Sequence, residues 1–252
     1  MKQPLVLCYH AISPTWSAGL SVTPEAFERQ ISYLLRRGWG ATTFGDVVRA
    51  APARTIAVTF DDAFASVKTY ALPILRRLGV PATVFVPTDY ISRQAPLAWL
   101  GLDQWDDGPD AAELTPMTWD DLGELADLGW EVGSHTRTHP LLTRVRDDAA
   151  LAAELRASRE ECAERIGRPV TSIAYPYGDV DDRVQAQTRQ AGYAAAAALG
   201  WPSGRVDPFR YPRIGVYNKD SAQRFRFKVG SLSHSSYAST LIARRAANAD
   251  RY

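Results

Sequence analysis

The side chains best suited to chemistry collect at three points in this 252-residue chain. The first is the end of the apolar, β-branched run Thr55–Phe60, which terminates in adjacent carboxylates, Asp61 and Asp62. Two like charges at close range resist joint ionisation unless something positive compensates them, and a divalent cation is the usual remedy. A solvated acidic turn or a helix N-cap is the bland alternative. The second point follows the run Glu131–Ser134, where two of the chain's four histidines, His135 and His139, stand four residues apart. On a helical turn that spacing brings both imidazoles to one face, where they can share one metal. Pro140 limits any helix there to a single turn. With the Asp pair, the two histidines complete an Asp-His-His set that leaves coordination sites open for water and substrate. The third point is Tyr175-Pro176-Tyr177-Gly178, again after a strand-like run. Its aromatics can wall a groove in which sugar rings stack, and a backbone N–H freed by the turn can serve an oxyanion. Alone, it reads equally as a plain β-to-α loop.

All three points lie where strands end, so the elements that position them come next. Strand-like runs are expected at Leu5–Tyr9, 41–44, Thr55–Phe60, 82–87, Glu131–Ser134, 172–175, 194–198 and, more weakly, 213–216. Amphipathic stretches fall between them. Thr23-Pro24-Glu25 opens one in N-cap fashion, with Phe27, Ile31, Leu34 and Leu35 on one face and Gly38 closing it. Thr118 opens a second that ends at Gly129, and a third runs from Asp147 to Ile166 and stops at Gly167. Alternating strands and helices call for a parallel sheet with crossover helices. The number of units favours a compact (β/α) barrel, whose catalytic groups collect at the C-terminal ends of the strands. A doubly wound open sheet is the rival, but its Gly-rich fingerprint after the first strand is missing. Residues 89–117, with Trp99 and Trp105, lack periodicity and read as a long loop able to shape a site.

Composition narrows the function classes. The apolar fraction of 46% and charged fraction of 23% are those of an ordinary globular protein. Lys+Arg of 29 against Asp+Glu of 28 leaves a net charge of +1, which gives no reason to expect nucleic acid as partner. Cys8 and Cys162 have no metal-ligand spacing and read as buried free thiols. The apolar run after Pro4 is shorter than the roughly 7–15 residues of an export segment, so a cytoplasmic protein is expected. No stretch approaches the ~18 apolar residues of a membrane span.

The three elements, in this order, resemble those of the polysaccharide deacetylases (carbohydrate esterase family 4, the NodB-homology domain). The family's first motif, TFDD, stands unaltered as Thr59 to Asp62. Its second, H-[ST]-x-x-[HS], is His135-Thr136-Arg137-Thr138-His139, and its third is Tyr175-Pro176-Tyr177-Gly178. The resemblance spans roughly residues 5–216. It implies a single-domain, distorted (β/α)7 barrel, here over residues 1–216; the remaining 217–252 carry aromatics and Arg without a strand pattern and read as a tail that packs on the barrel or extends from it. It also implies one divalent metal ion, usually Zn2+, with Co2+, Ni2+ or Fe2+ in some members. By this resemblance Asp62, His135 and His139 hold the metal, and Asp61 is the general base that takes a proton as metal-bound water attacks an acetyl carbonyl. Tyr175, Pro176, Tyr177 and Gly178 form the substrate wall, with the Tyr177 N–H as an oxyanion donor. The substrate is an acetylated carbohydrate.

Two departures from the family pattern concern the remaining machinery. Many members place a general-acid His in a late Leu-x-His motif, matched here by Leu232-Ser233-His234, in a segment without strand character. A subset that includes poly-N-acetylglucosamine deacetylases instead carries an N-terminal Tyr-His element, matched by Tyr9-His10. His10, at a strand end, is the preferred acid, and a satisfied core histidine is its alternative. Many members also carry, in the third motif, an Arg that orients the catalytic Asp. Here that position is Ile173 or Ala174, and Arg213 of Tyr211-Pro212-Arg213-Ile214 is the candidate replacement. An Arg paired with a surface carboxylate is the competing account. The expected activity is removal of an N-acetyl group from an N-acetylated sugar, polymeric or small. O-acetyl ester hydrolysis and non-catalytic carbohydrate binding on the same fold are the alternatives.

Overall fold

The computed structural model describes residues 4–200 and 206–231. The chain opens with β1 (Leu5–Tyr9), two short paired strands β2 (Ala11–Ile12) and β3 (Ser21–Val22), and helix α1 (Pro24–Arg36). It continues through β4 (Gly40–Thr42), α2 (Phe44–Ala50), β5 (Thr55–Phe60), α3 (Leu72–Leu78), β6 (Ala82–Val86) and α4 (Thr88–Arg93). Then follow α5 (Trp119–Asp127), β7 (Glu131–Ser134), α6 (Asp148–Ile166), β8 (Ser172–Ala174), α7 (Asp182–Gln190), β9 (Ala195–Leu199), β10 (Tyr211–Gly215) and α8 (Ala222–Ser231).

Seven of the strands close into a parallel barrel in the order β1-β10-β9-β8-β7-β6-β5, with β5 returning to β1 through pairs running from Leu5↔Ile56 to Tyr9↔Phe60. That closing ladder excludes the open doubly wound sheet. The far edge of β5 is shared: its start pairs with β4 and its end with β6. Successive residues of each strand divide between two packing layers, as the period of two demands. Leu5, Leu7, Tyr9, Ile56, Val58, Phe60 and Ile173 face the helices. Val6, Ala57, Ala174, Ala195, Ala197 and Tyr211 form the inner layer with Phe85. The inner side chains are mostly alanine because a seven-stranded barrel encloses little space. Gly133 belongs to the same economy, since a Cβ there would lie 2.6 Å from the Phe85 ring. Extending the inner phase upward along the strands brings Cys8, Thr59, Asp61 and Arg213 to the barrel axis.

The helix signals act locally as their residue types dictate. Thr23 caps α1 by accepting from the Ala26 N–H, and Thr118 and Asp121 form a reciprocal capping box on α5. Asp147 caps α6, which stops at Gly167 with φ +68°, a conformation that costs glycine nothing. The strand expected at 41–44 stops at Thr42. Thr43 caps α2 instead, and Phe44 plugs the lower end of the barrel between Phe85 and Tyr211, with ring centroids 5.7 and 5.8 Å away. Residues 89–117 are not one long loop. They begin inside α4, fold through short 3-10 turns, and are tied at 2.8 Å from Met117 N–H to the Ala63 carbonyl. After β10 the chain packs back through α8, whose buried Phe225 meets Tyr33 of α1 at 6.5 Å. No helix among the described residues is long and apolar enough to cross a membrane.

Candidate metal centre and active site

Asp61 continues the β1–β5 ladder, its N–H donating to the Tyr9 carbonyl at 3.0 Å, so its side chain keeps the inward phase of Thr59. There it meets Arg213 of β10, which lies beyond β1 on the same side of the barrel. The guanidinium donates to both carboxylate oxygens, Nη1 to Oδ1 at 2.6 Å and Nη2 to Oδ2 at 2.7 Å, and also to Thr59 Oγ1 at 3.0 Å. Both partners are buried, Arg213 at 1% exposure and Asp61 at 3%. The competing expectation of a surface ion pair for Arg213 is therefore excluded. Burial pushes the Asp61 carboxyl up, but the Arg213 guanidinium, with His135 and His10 nearby, outweighs it and holds Asp61 well below the usual carboxylate range. Burial pulls Arg213 down, and Asp61 more than reverses that. Cys8 Sγ donates to Asp61 Oδ2 at 3.4 Å, a partner that spacing alone did not suggest, although Cys8 stands in the same inward phase as His10.

After Asp61 the strand breaks. Asp62 and Ala63 take φ of 71° and 53°, which turns the Asp62 carboxylate towards β7. Asp62 Oδ1 lies 3.3 Å from His135 Nε2 and 3.4 Å from His139 Nε2. All three residues are buried, and one ligand atom from each lies within 4.8 Å of the others. His135 Nδ1 sits 2.8 Å from the Ala174 carbonyl, which can only accept, so Nδ1 carries a proton and Nε2 is the ring nitrogen turned towards Asp62. Asp62 Oδ1 and His139 Nδ1 are buried without hydrogen-bond partners, a costly arrangement unless a cation engages the cluster. The donor set, two imidazoles and a carboxylate, suits Zn2+ and its borderline neighbours. The residues fit a divalent metal ion.

The pair of histidines does not lie on a helical turn. Thr136 and His139 adopt φ of 67° and 59°, so the segment doubles back on itself and Pro140 follows an irregular loop. Each such residue costs about 1–3 kcal/mol and persists only when its surroundings over-determine it. The surroundings are explicit. Ser134 Oγ accepts from Thr136 N–H, and Thr136 Oγ1 accepts from His139 N–H. Glu154 of α6 accepts from the N–H groups of Arg137 and Thr138 and from the Thr138 hydroxyl. Arg137 forks onto Asp89, whose own N–H returns to the Arg137 carbonyl. With Asp62, Ala63 and Tyr177 (φ 60°), five of the seven non-glycine residues with positive φ among those described lie at this one site.

The rim is aromatic. Trp99 stacks on the His139 ring at 4.0 Å and 22°, Tyr90 meets Trp99 edge-on at 5.0 Å, and Tyr177 stands 4.8 Å from His139. Of the Tyr175–Gly178 segment only Tyr177 faces the mouth, 39% exposed, its hydroxyl donating to the Leu100 carbonyl. Burial and the Asp62 carboxylate push that phenol up to about 12, so it stays a neutral donor. Tyr175 does not wall the groove as expected. It is fully buried in the outer layer and donates to the Phe209 carbonyl, because strand phase points it away from the axis. Pro176 is likewise buried, and Gly178 backs onto Leu199. His10 stands at the mouth beside Asp61: ligand atoms of Cys8, His10 and Asp61 lie within 4.8 Å of one another, and the His10 ring stacks at 6.5 Å on Tyr217. Its Nδ1 is buried without a partner. Burial pulls His10 below its ordinary value against the carboxylates of Asp62 and Asp61. His234 lies outside the described residues.

Fold and site together define a (β/α)7-barrel protein with a candidate mononuclear metal centre at the C-terminal mouth and a separate buried Asp–Arg pair beside it. A sequence profile of the polysaccharide deacetylase family matches residues 49–196, and the chain belongs to that family. Asp61, Asp62, His135 and His139 fall inside the matched segment, His10 and Arg213 outside it. The chain is 24% identical over 215 residues to a poly-beta-1,6-N-acetyl-D-glucosamine N-deacetylase of Staphylococcus epidermidis, covering 79% of this chain and 68% of the relative. It is 30% identical over 179 residues to a chitooligosaccharide deacetylase of a Bradyrhizobium species, covering 69% of this chain but only 64% of that relative's length. The fold superposes on the Streptococcus pyogenes deacetylase PplD, solved in complex with acetate, with a TM-score of 0.73 at 22% identity, covering 91% of this chain and 98% of that one.

Proposed function

We propose that this chain is a metal-dependent deacetylase that removes the N-acetyl group from an N-acetylated sugar. One observation carries the reading: Asp62, His135 and His139 converge on a shared point while the adjacent Asp61 stands beside that set, outside it and clamped by Arg213. Two neighbouring carboxylates thus have different environments, which is how a site assigns one to ligation and the other to proton transfer. The named activities of the two sequence relatives favour an N-acetylated sugar over an O-acetyl ester.

Asp62, His135 and His139 would hold the metal, which when bound supplies a Lewis acid and lowers the pKa of a coordinated water. Asp61 remains ionised because of Arg213 and accepts the proton released as water adds to the acetyl carbon. Its Oδ2 is the oxygen nearer the metal ligands, 4.0 Å from His135 Nε2. The Tyr177 N–H, on a backbone rotated into positive φ, donates to the oxygen on which charge develops. His10 delivers a proton to the departing nitrogen, since an amine leaves only when protonated. The Tyr177 ring and Trp99 flank the sugar.

Acetate release from N-acetyl and O-acetyl saccharides, with and without a chelator, tests this. Chelator-sensitive release from the N-acetyl substrates is expected. Release that ignores the chelator, or none from any acetylated saccharide with metal supplied, would overturn it.

A further inference from the structure

On the outer side of the barrel, α1 and α8 border a groove of about 460 Å3, a size typical of small-ligand sites. Four cations line it: Arg29 and Arg36 from α1, Lys219 from the loop after β10, and Arg226 from α8. Among the described residues none of the four is ion-paired with a carboxylate. Asp220 is the one acidic side chain in the lining, and it is spent internally. Lys228 and Arg224 lie 2.5 and 2.9 Å from its oxygens, and the Tyr217 N–H donates to it at 2.9 Å. In a chain whose charges nearly cancel, with 29 basic against 28 acidic residues, the lining of this cleft sets these four cations against the one carboxylate of Asp220, with Glu25 and Glu28 standing beside Arg29 and Arg36 on the neighbouring face of α1. The cations are also shaped by their neighbours. Arg226 lies 5.2 Å over the Tyr33 ring, and Gln30, buried in the floor, takes the Tyr9 hydroxyl on its Oε1 at 2.9 Å, leaving its amide N–H2 as a donor.

The groove adjoins the site already described at one shared boundary residue, Tyr217. Tyr217 lines the groove and stacks on His10, and the Tyr9 that anchors Gln30 is the residue before His10. Guanidinium groups match phosphate oxygens in charge and in fork geometry. We propose that this groove is an anion subsite that takes the phosphate of a phosphorylated N-acetylated sugar while the acetamido group reaches Asp61 and Asp62. The proposal rests on the deacetylation reading above and narrows its substrate class.

The test pairs binding with turnover in the metal-loaded full chain and in the exposed-site variant Arg29→Ala/Arg226→Ala. Inorganic pyrophosphate binding is read by calorimetry, where any binding at the metal centre is common to both proteins. Acetate release is read on N-acetylglucosamine 1-phosphate and on neutral tri-N-acetylchitotriose. Each guanidinium lost should weaken pyrophosphate by about tenfold, with a matching rise in KM for the phosphorylated sugar and no change for the neutral one. Raising salt should erode the same difference. Unchanged pyrophosphate binding, or equal loss on both sugars, would overturn the subsite. If the variant loses pyrophosphate but neither sugar is ever hydrolysed, the anion subsite stands and the deacetylation reading fails. If the neutral sugar is hydrolysed and pyrophosphate binding is unaltered, the reverse holds.

Discussion

Replacing Arg213 by Met keeps most of the side-chain volume but leaves the Asp61 carboxylate buried without its counter-charge. The native pair sits at 1% and 3% exposure with two contacts of 2.6 and 2.7 Å. Removing one partner of such a buried pair costs about 3–5 kcal/mol, because the remaining charge has neither water nor a partner. For a chain of this size that is a fall in Tm of about 6–20 °C. The pH dependence follows from the direction of the shift. In the native protein Asp61 titrates below its unfolded value, so its contribution is present above about pH 4 and is lost as pH falls through the lower folded value. In Arg213→Met, burial dominates and raises the carboxyl, so the deficit is largest near neutrality and shrinks in acid as Asp61 protonates. Urea unfolding of metal-depleted protein at several pH values measures both effects. The double variant Arg213→Met/Asp61→Asn removes the stranded charge and should recover at least about 2 kcal/mol relative to the sum of the single changes. Additive losses, within about 0.5 kcal/mol, would refute the claim that the two groups act as one buried pair.

Three further outcomes are expected. Glu154→Gln should weaken metal binding by about 10–100-fold, read by competition with a chromogenic chelator, since Glu154 holds the strained His135–His139 loop from outside the ligand set. His10→Ala should lower turnover of N-acetyl substrates by about 10²–10⁴-fold, with metal content unchanged and a much smaller effect on O-acetyl esters, whose leaving group needs less help. Metal removal should lower Tm by about 5–10 °C when the ion is present at a hundredfold over its Kd. In that experiment affinity should weaken as pH drops below neutral. Burial lowers His135, but the Asp61 and Asp62 carboxylates raise it above its ordinary value, so a proton must leave before metal binds.

Much of this architecture was legible in residue types. The runs Leu5–Tyr9, Thr55–Phe60 and Glu131–Ser134 are strands with those bounds, each ending where the site residues His10, Asp61 and His135 begin. Caps at Thr23, Thr118 and Asp147 are local chemistry and need no tertiary knowledge. The second motif was harder. A four-residue His spacing suggests a helical turn, yet here the geometry comes from two left-handed residues braced by Glu154 and Asp89, which are remote in sequence. Tyr175 was misplaced for a related reason: the motif names two tyrosines, but strand phase sends only Tyr177 to the mouth. Cys8 could have been read by counting two residues back from His10 along one strand face. The groove between α1 and α8 was not legible, because it joins two helices from opposite ends of the chain.

The central claim is that Asp61 moves a proton and does not ligate metal, whereas Asp62, His135 and His139 hold the ion. Its most direct test measures metal content and acetate release together, on an N-acetylglucosamine oligomer, for the native chain, Asp61→Asn and Asp62→Asn. Asp61→Asn should keep its metal and lose acetate release by about 10²–10⁴-fold, whereas Asp62→Asn should lose both. Asp61→Asn that sheds its metal, or that continues to release acetate at the native rate, would contradict the account.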